Sequence, residues 1–179
     1  ADRIDEAMGG ILFIDEAYAL SDGIDKNNFG QEAIEVILKR MEDQRGKFGV
    51  IAAGYPDNMA KFVEANPGLK SRFDKTFHFH DYLPEQMMLI CKFMLHKEGL
   101  KADEAAEKHM LEYFTNLYEQ RDKFFGNARS VRQIVVEAAK NQNLRMASMD
   151  AASRTPKELE TLTLEDVAEF VFETSGNQV

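Results

Sequence analysis

Two glycines, four apolar residues and two carboxylates in a row, Gly9-Gly10-Ile11-Leu12-Phe13-Ile14-Asp15-Glu16, constrain this chain more than any other stretch. A short continuous apolar run bounded by glycines reads as a strand buried on both faces, the pattern of a parallel sheet covered by helices. Open α/β sheets place their ligands at the C-terminal edge of the strands, and Asp15 and Glu16 stand at that edge. An aspartate there can hold a magnesium ion through its water shell. A glutamate one residue later can orient or deprotonate a water aimed at a γ-phosphate. The plainer alternative is that the pair opens a loop or caps a helix. A strand buried on both faces needs neighbours, so the chain is expected to begin inside a domain.

The segments that follow extend this pattern. Residues 21–30 are rich in turn formers, and Ala33, Ile34, Ile37, Leu38 and Met41 then recur at helical spacing over residues 31–44. Residues 48–53 read as a second buried strand. A short helix follows after Pro56 and stops at Asn66-Pro67-Gly68, and residues 73–80 alternate enough to predict a third strand. Strand, helix, strand, helix, strand means βαβ units. Beyond Pro84 the character changes: residues 85–97, 102–120 and 128–146 carry 3.6-residue apolar periodicity, and a final helix is expected over 165–172 with Thr163 as its N-cap. The predicted organisation is an α/β piece over residues 1–83 and an all-α piece over 84–179, joined near residues 81–84.

Composition narrows the function. Lys and Arg number 22 against 31 Asp and Glu, a formal charge of −9, and both halves share the excess of acid. No basic half exists to track a phosphate backbone, which disfavours nucleic acid as the main partner. One cysteine, Cys91, can form neither an internal disulfide nor a cysteine cluster. The longest apolar runs fall far short of the ~20 residues a membrane helix needs, so a cytoplasmic protein with no membrane partner is expected.

Residues 9–20, Gly-Gly-Ile-Leu-Phe-Ile-Asp-Glu-Ala-Tyr-Ala-Leu, resemble the Walker B segment of an AAA+ ATPase, in the branch containing red-type rubisco activase and stage V sporulation protein K. Four further segments are similar to that family in the expected order: the helix after Walker B at 29–42, sensor 1 at 50–56, the arginine-finger segment Asn-Pro-Gly-Leu-Lys-Ser-Arg-Phe at 66–73, and sensor 2 at 126–132. The resemblance covers nearly the whole chain. It implies the later part of a parallel-sheet P-loop ATPase core followed by a helical lid. It also implies ATP and Mg2+ as cofactors, a protein substrate, and self-association into a ring, hexameric by analogy with the family.

It assigns roles to single residues as well. Asp15 would serve magnesium and Glu16 would activate water. Arg72 would clamp the developing charge on a neighbouring subunit's nucleotide, the alternative being a surface cation beside Asp74. Arg129 would read the nucleotide phosphates, with Arg132, three residues on, as the other candidate. Tyr55 stands where many relatives place the Asn or Thr of sensor 1, and a packed aromatic is the rival reading. The phosphate-cradling pattern Gly-x-x-x-x-Gly-Lys-Ser/Thr does not occur in these 179 residues, for the single Gly46-Lys47 is followed by Phe48. The chain alone is therefore expected to be inactive, and a regulatory or scaffolding module acting with a complete partner is the alternative function.

Weaker candidates complete the reading. His78 and His80 alternate on the predicted third strand, but a metal site there needs a third ligand. Lys26 and Phe29 are candidates for a second pore loop, Phe124 and Phe125 for lid core, the methionines for core filler, and Cys91 for an inert thiol.

Overall fold

Helix α1 (Asp2–Glu6) leads through Gly9, at φ +80°, into strand β1 (Ile11–Ile14) in a computed structural model of the protein, which describes residues 2–21, 29–123 and 125–172. A 3-10 turn (Ala17–Leu20) follows β1, and α2 (Phe29–Asp43) returns the chain to β2 (Gly49–Ala52). The two strands pair in parallel, Ile11 opposite Gly49 and Ile14 opposite Ala52. Parallel neighbours need such a crossover, so the βαβ unit read from the sequence is present. Helices α3 (Pro56–Ala65) and α4 (Pro67–Lys70) each carry proline in the first turn, where a missing N–H breaks no intrahelical bond. Ala17, Ile34, Phe62 and Leu69 form the buried centre of this part, with Ile14, Leu38, Ala52 and Phe73 packed around them.

Two expectations about this sheet are corrected. The apolar run of β1 is covered on one face only: Leu12 and Ile14 turn toward the packed side, whereas Ile11 and Phe13 are exposed, as is Ile51 on β2. The centre is built from side chains of the 3-10 turn, α2, α3 and α4, and among the described residues nothing covers the other face. Residues 73–80 form no strand. A strand exists only by pairing, the sheet consists of β1 and β2, and Phe77 and Phe79 stand 76% and 96% exposed.

Packing divides the chain into two compact units, residues 1–79 and 80–179. The second contains α5 (Pro84–Lys97), β3 (Lys101–Ala102), α6 (Glu104–Glu119), α7 (Ala128–Ser148), α8 (Pro156–Leu159), β4 (Thr161–Leu162) and α9 (Leu164–Val167). Its core follows the predicted periodicity: Met87, Met88, Cys91 and Leu95 on α5, Ala106, Met110 and Phe114 on α6, Val131, Ile134, Val135 and Ala138 on α7. Met87, Met88, Met110 and Met146 are buried, and the remaining described methionines are partly so. Phe125 packs against this core, whereas Phe124 lies outside the described residues.

The sequence reading missed the two-residue parallel pair of β3 and β4, too short to leave a periodic signal. It also placed the start of α6 early; Asp103 caps that helix, accepting from the Ala106 N–H at 2.7 Å. The final helix ends at Val167, well before residue 172. Its position depends on a polar clasp. Arg145 of α7 donates from Nε and Nη2 to the two carboxylate oxygens of Asp166, each at 2.8 Å, and from Nη2 to the Thr161 carbonyl at 3.0 Å. The same Asp166 accepts from the Thr163 N–H at 2.7 Å. Gln142 donates to the Leu159 carbonyl at 2.8 Å, so α7 grips the whole segment through 159–166.

The single cysteine supplies a first test. Burial, and secondarily the charge of Glu107, push the Cys91 thiol up to about 12, and its Sγ–H donates to Met110 Sδ at 3.8 Å. A thiol so placed is protonated at pH 8 and unreactive. Labelling by Ellman's reagent at pH 8 is expected to be negligible in buffer and complete in denaturant; immediate labelling of the folded chain would contradict this burial. Because the folded value is raised, this group contributes stability below its unfolded value, near ~8.5, and loses it as pH rises toward 12.

Candidate functional site

The C-terminal end of β1 is fixed on both sides before the carboxylates begin. The Ala53 N–H donates to the Ile14 carbonyl at 2.8 Å, and the Ala17 N–H donates to the Ala53 carbonyl at 3.0 Å. Asp15 and Glu16 therefore form a tight turn bridged to the end of β2, both exposed. Asp15 Oδ1 accepts from the Glu16 N–H at 3.1 Å, and among the described residues the other carboxylate oxygen has no hydrogen-bond partner. Glu16 adopts φ +48° and ψ +44°, the left-handed region that costs a non-glycine residue about 1–2 kcal/mol. Such strain persists where surrounding bonds over-determine the backbone, and it concentrates at functional sites.

Aromatic residues line the same edge. Tyr18, on the 3-10 turn, lies between the side chains of Glu16 and Asn58; burial first, then the Glu16 charge, raise its hydroxyl above the ordinary phenol value. Its ring occupies the space beside Gly54, where a Cβ would fall 2.8 Å from Tyr18 Cδ1 and Cε1. Glycine is required there for that close approach. Tyr55 is the N-cap residue of α3 and stands about half-exposed, outside the buried cluster. The sequence reading singled out Tyr55 and passed over Tyr18 and Asn58; the closer aromatic was legible only as part of the Walker B resemblance.

Arg72 sits elsewhere. Its partner is Glu42 near the end of α2, Nη2 to Oε2 at 3.2 Å, rather than Asp74, and Nη1 donates to the Gly68 carbonyl at 3.2 Å. Helix α2 runs back from the carboxylate end of β1 toward the start of β2. That ion pair joins the C-terminal turn of α2 to the segment just after α4.

In the second unit, Arg129 and Arg132 lie in the first turns of α7, both exposed and neither side chain with a hydrogen-bond or ion-pair partner among the described residues. The start of α7 is held by Asn127, at φ +52°, which donates to Asp81 Oδ1 at 3.0 Å and accepts from the Tyr82 N–H at 3.2 Å. Arg121 adds an ion pair to Asp81 at 3.4 Å. Asparagine tolerates positive φ better than most residues, and sequence spacing gave no sign of this 46-residue link.

His78 and His80 are exposed, and among the described residues no three His, Cys, Asp or Glu side chains gather to hold a metal. Phe29 is exposed at the start of α2; Lys26 lies outside the described residues. No described helix is long and apolar enough to cross a membrane.

Residues 2–81 match the family of ATPases associated with various cellular activities (AAA), and residues 83–177 match the AAA lid domain. The chain belongs to the AAA family. Its architecture is a partial P-loop ATPase core followed by an all-α lid. It is 41% identical over 161 residues, 90% of its length, to the chloroplastic ribulose bisphosphate carboxylase/oxygenase activase of Cyanidioschyzon merolae, of which it covers 54%. It is 38% identical to stage V sporulation protein K of Bacillus subtilis, over 83% of this chain and 46% of that protein. To the ESX-3 secretion system protein EccA3 of Mycolicibacterium smegmatis it is 36% identical, over 92% of this chain and 29% of the relative. The chain spans about half the length of the rubisco activase and sporulation relatives, and less of the secretion protein.

Proposed function

We propose that these residues serve an ATP-driven ring, hexameric by analogy with the family, that remodels a protein substrate in the cytoplasm. Supporting this reading are two exposed carboxylates fixed at the C-terminal edge of a parallel strand. Arg72 pairs with Glu42 rather than with either carboxylate, and a ring gives it a target on the next subunit. The donor set fits magnesium, since one Asp15 oxygen has no partner among the described residues and carboxylate oxygens suit a hard cation. Bound there, magnesium supplies charge neutralisation on the β- and γ-phosphates.

The chain's own residues do the rest. Glu16 holds a water and takes its proton, Tyr18 beside it helps orient the carboxylate, and Tyr55 borders the same edge at the end of β2. Arg129, or Arg132 on the next turn, binds phosphate oxygens from the lid; the exposure of both side chains supports either assignment. The acidic balance favours a protein over a nucleic-acid substrate.

Calorimetric titration of the 179-residue chain with Mg-ATP tests where the phosphates are cradled. No binding is expected at micromolar nucleotide, because the Gly-x-x-x-x-Gly-Lys-Ser/Thr pattern is not among these residues. Micromolar binding would show that another backbone segment holds the phosphates. A second reading is a non-catalytic subunit that lends Arg72 to a complete partner. A Gly-Lys-Ser/Thr loop in the upstream reading frame decides for the enzyme, and a stop or an unrelated domain decides for the module.

A further inference from the structure

Arg72 folds its guanidinium back onto neighbouring residues of its own unit. Nη2 is engaged by Glu42, Nη1 by the Gly68 carbonyl, and Nε is buried with no hydrogen-bond partner. The side chain is 28% exposed, Glu42 63%. A guanidinium that clamps a phosphoryl group must offer a fork of N–H donors. Here two edges are occupied and the third faces protein. The orphaned Nε is an unsatisfied buried donor, a feature that native structures keep rarely and for a reason.

We infer that Glu42 is a latch, a positioning residue that holds the Arg72 finger folded against its own subunit until a neighbour's nucleotide draws it away. The inference rests on the finger reading of Arg72. Its physical basis is a difference in strength. The Glu42 pair is open to water, and exposed ion pairs are weak. A triphosphate offers several charged oxygens, and charge-assisted bidentate bonds to phosphate are strong. Releasing Arg72 also frees the Nε that the folded arrangement leaves unpaired. The geometry is set by close packing of α4 on α2: a Cβ at Gly68 would come within 2.9 Å of Leu38 Cδ1 and 3.7 Å of Arg72 Nη1. The Gly68 carbonyl thereby lies beside the last turn of α2, where Glu42 stands. The latch joins residues 30 apart in sequence through two helix ends.

Two measurements test it. Hydrogen exchange at the arginine Nε–H groups of the 179-residue chain, followed by NMR, is expected to show Arg72 protected relative to exposed Arg129 and Arg132, and the protection lost in Glu42→Gln. In the complete protein carrying these residues, Glu42→Gln is expected to raise kcat for ATP about two- to fivefold, the range an exposed ion pair commands, with KM unchanged. In an Arg72→Ala background, which itself lowers kcat, Glu42→Gln is expected to change nothing. Arg72 exchanging as fast as Arg129 in the wild type would overturn the latch. So would a Glu42→Gln kcat equal to or below wild type while Arg72→Ala is slow. An Arg72→Ala enzyme with wild-type turnover would instead remove the finger reading itself. A purely structural Glu42 predicts a lower melting temperature, not a faster enzyme whose gain requires Arg72.

Discussion

Glu16→Gln in the complete protein is expected to lower ATP turnover by about 10²- to 10⁴-fold, the usual contribution of a positioned general base, while nucleotide binding stays intact. Glutamine keeps the length and hydrogen-bonding shape of the side chain and removes only the basic oxygen. The backbone at this position is strained at φ +48° and held by the Ile14, Ala17 and Ala53 bonds, so the amide inherits the same placement. Phosphate release and ATP titration, measured side by side, separate the two effects. Turnover within a few-fold of wild type would remove Glu16 from the reaction. Loss of binding together with turnover would mean that the turn itself had collapsed.

The second large effect concerns the lid. Asp166→Ala is expected to destabilise the helical unit by about 3–5 kcal/mol, the cost of leaving a buried charge without its partner. Asp166 is 1% exposed and Arg145 14%, and the aspartate's hydrogen bond raises the Arg145 pKa. Removing the carboxylate strands the guanidinium and also the Thr163 N–H. Against a total of about 5–15 kcal/mol for a domain, this is a large fraction. Urea unfolding followed by circular dichroism checks it. Replacing both partners, Arg145→Met with Asp166→Leu, is expected to recover much of the loss, since no uncompensated charge remains. A single mutant as stable as the wild type would show that the clasp contributes no more than a surface pair.

What could be read from the sequence follows the range of each interaction. Ile11 to Glu16 announces itself because run length, bounding glycines and terminal carboxylates lie within a few residues. The helical faces of α5, α6 and α7 repeat every three or four positions, and their buried residues fall where that period puts them. Glu42, by contrast, is one acid among several on α2, and nothing nearby marks it as the partner of Arg72. Asn127 looks like a turn former, and its bond to Asp81 depends on the path of the intervening chain. Asp166 reads as a first-turn acid on a short helix; only the fold reveals that it is buried against Arg145. The third strand fails for the opposite reason. The alternation of Phe73, Phe77 and Phe79 describes a segment able to pair, yet among the described residues it pairs with neither β1 nor β2.

The parallel pair of β3 with β4 has a kinetic consequence. Lys101 meets Thr161 across about 60 residues of chain, and closing so long a loop must follow the formation of local helices, which takes about a microsecond or less. Helices α5, α6 and α7 are therefore expected to assemble first, with the 156–167 segment docking afterwards onto a partly built bundle. During synthesis that segment emerges after everything it packs against. Until residue 167 has cleared the ribosome, the Arg145 guanidinium waits without its aspartate and Leu162 and Val167 have not yet closed the hydrophobic centre, so this final stretch acts as the stopper that commits the lid to its native state.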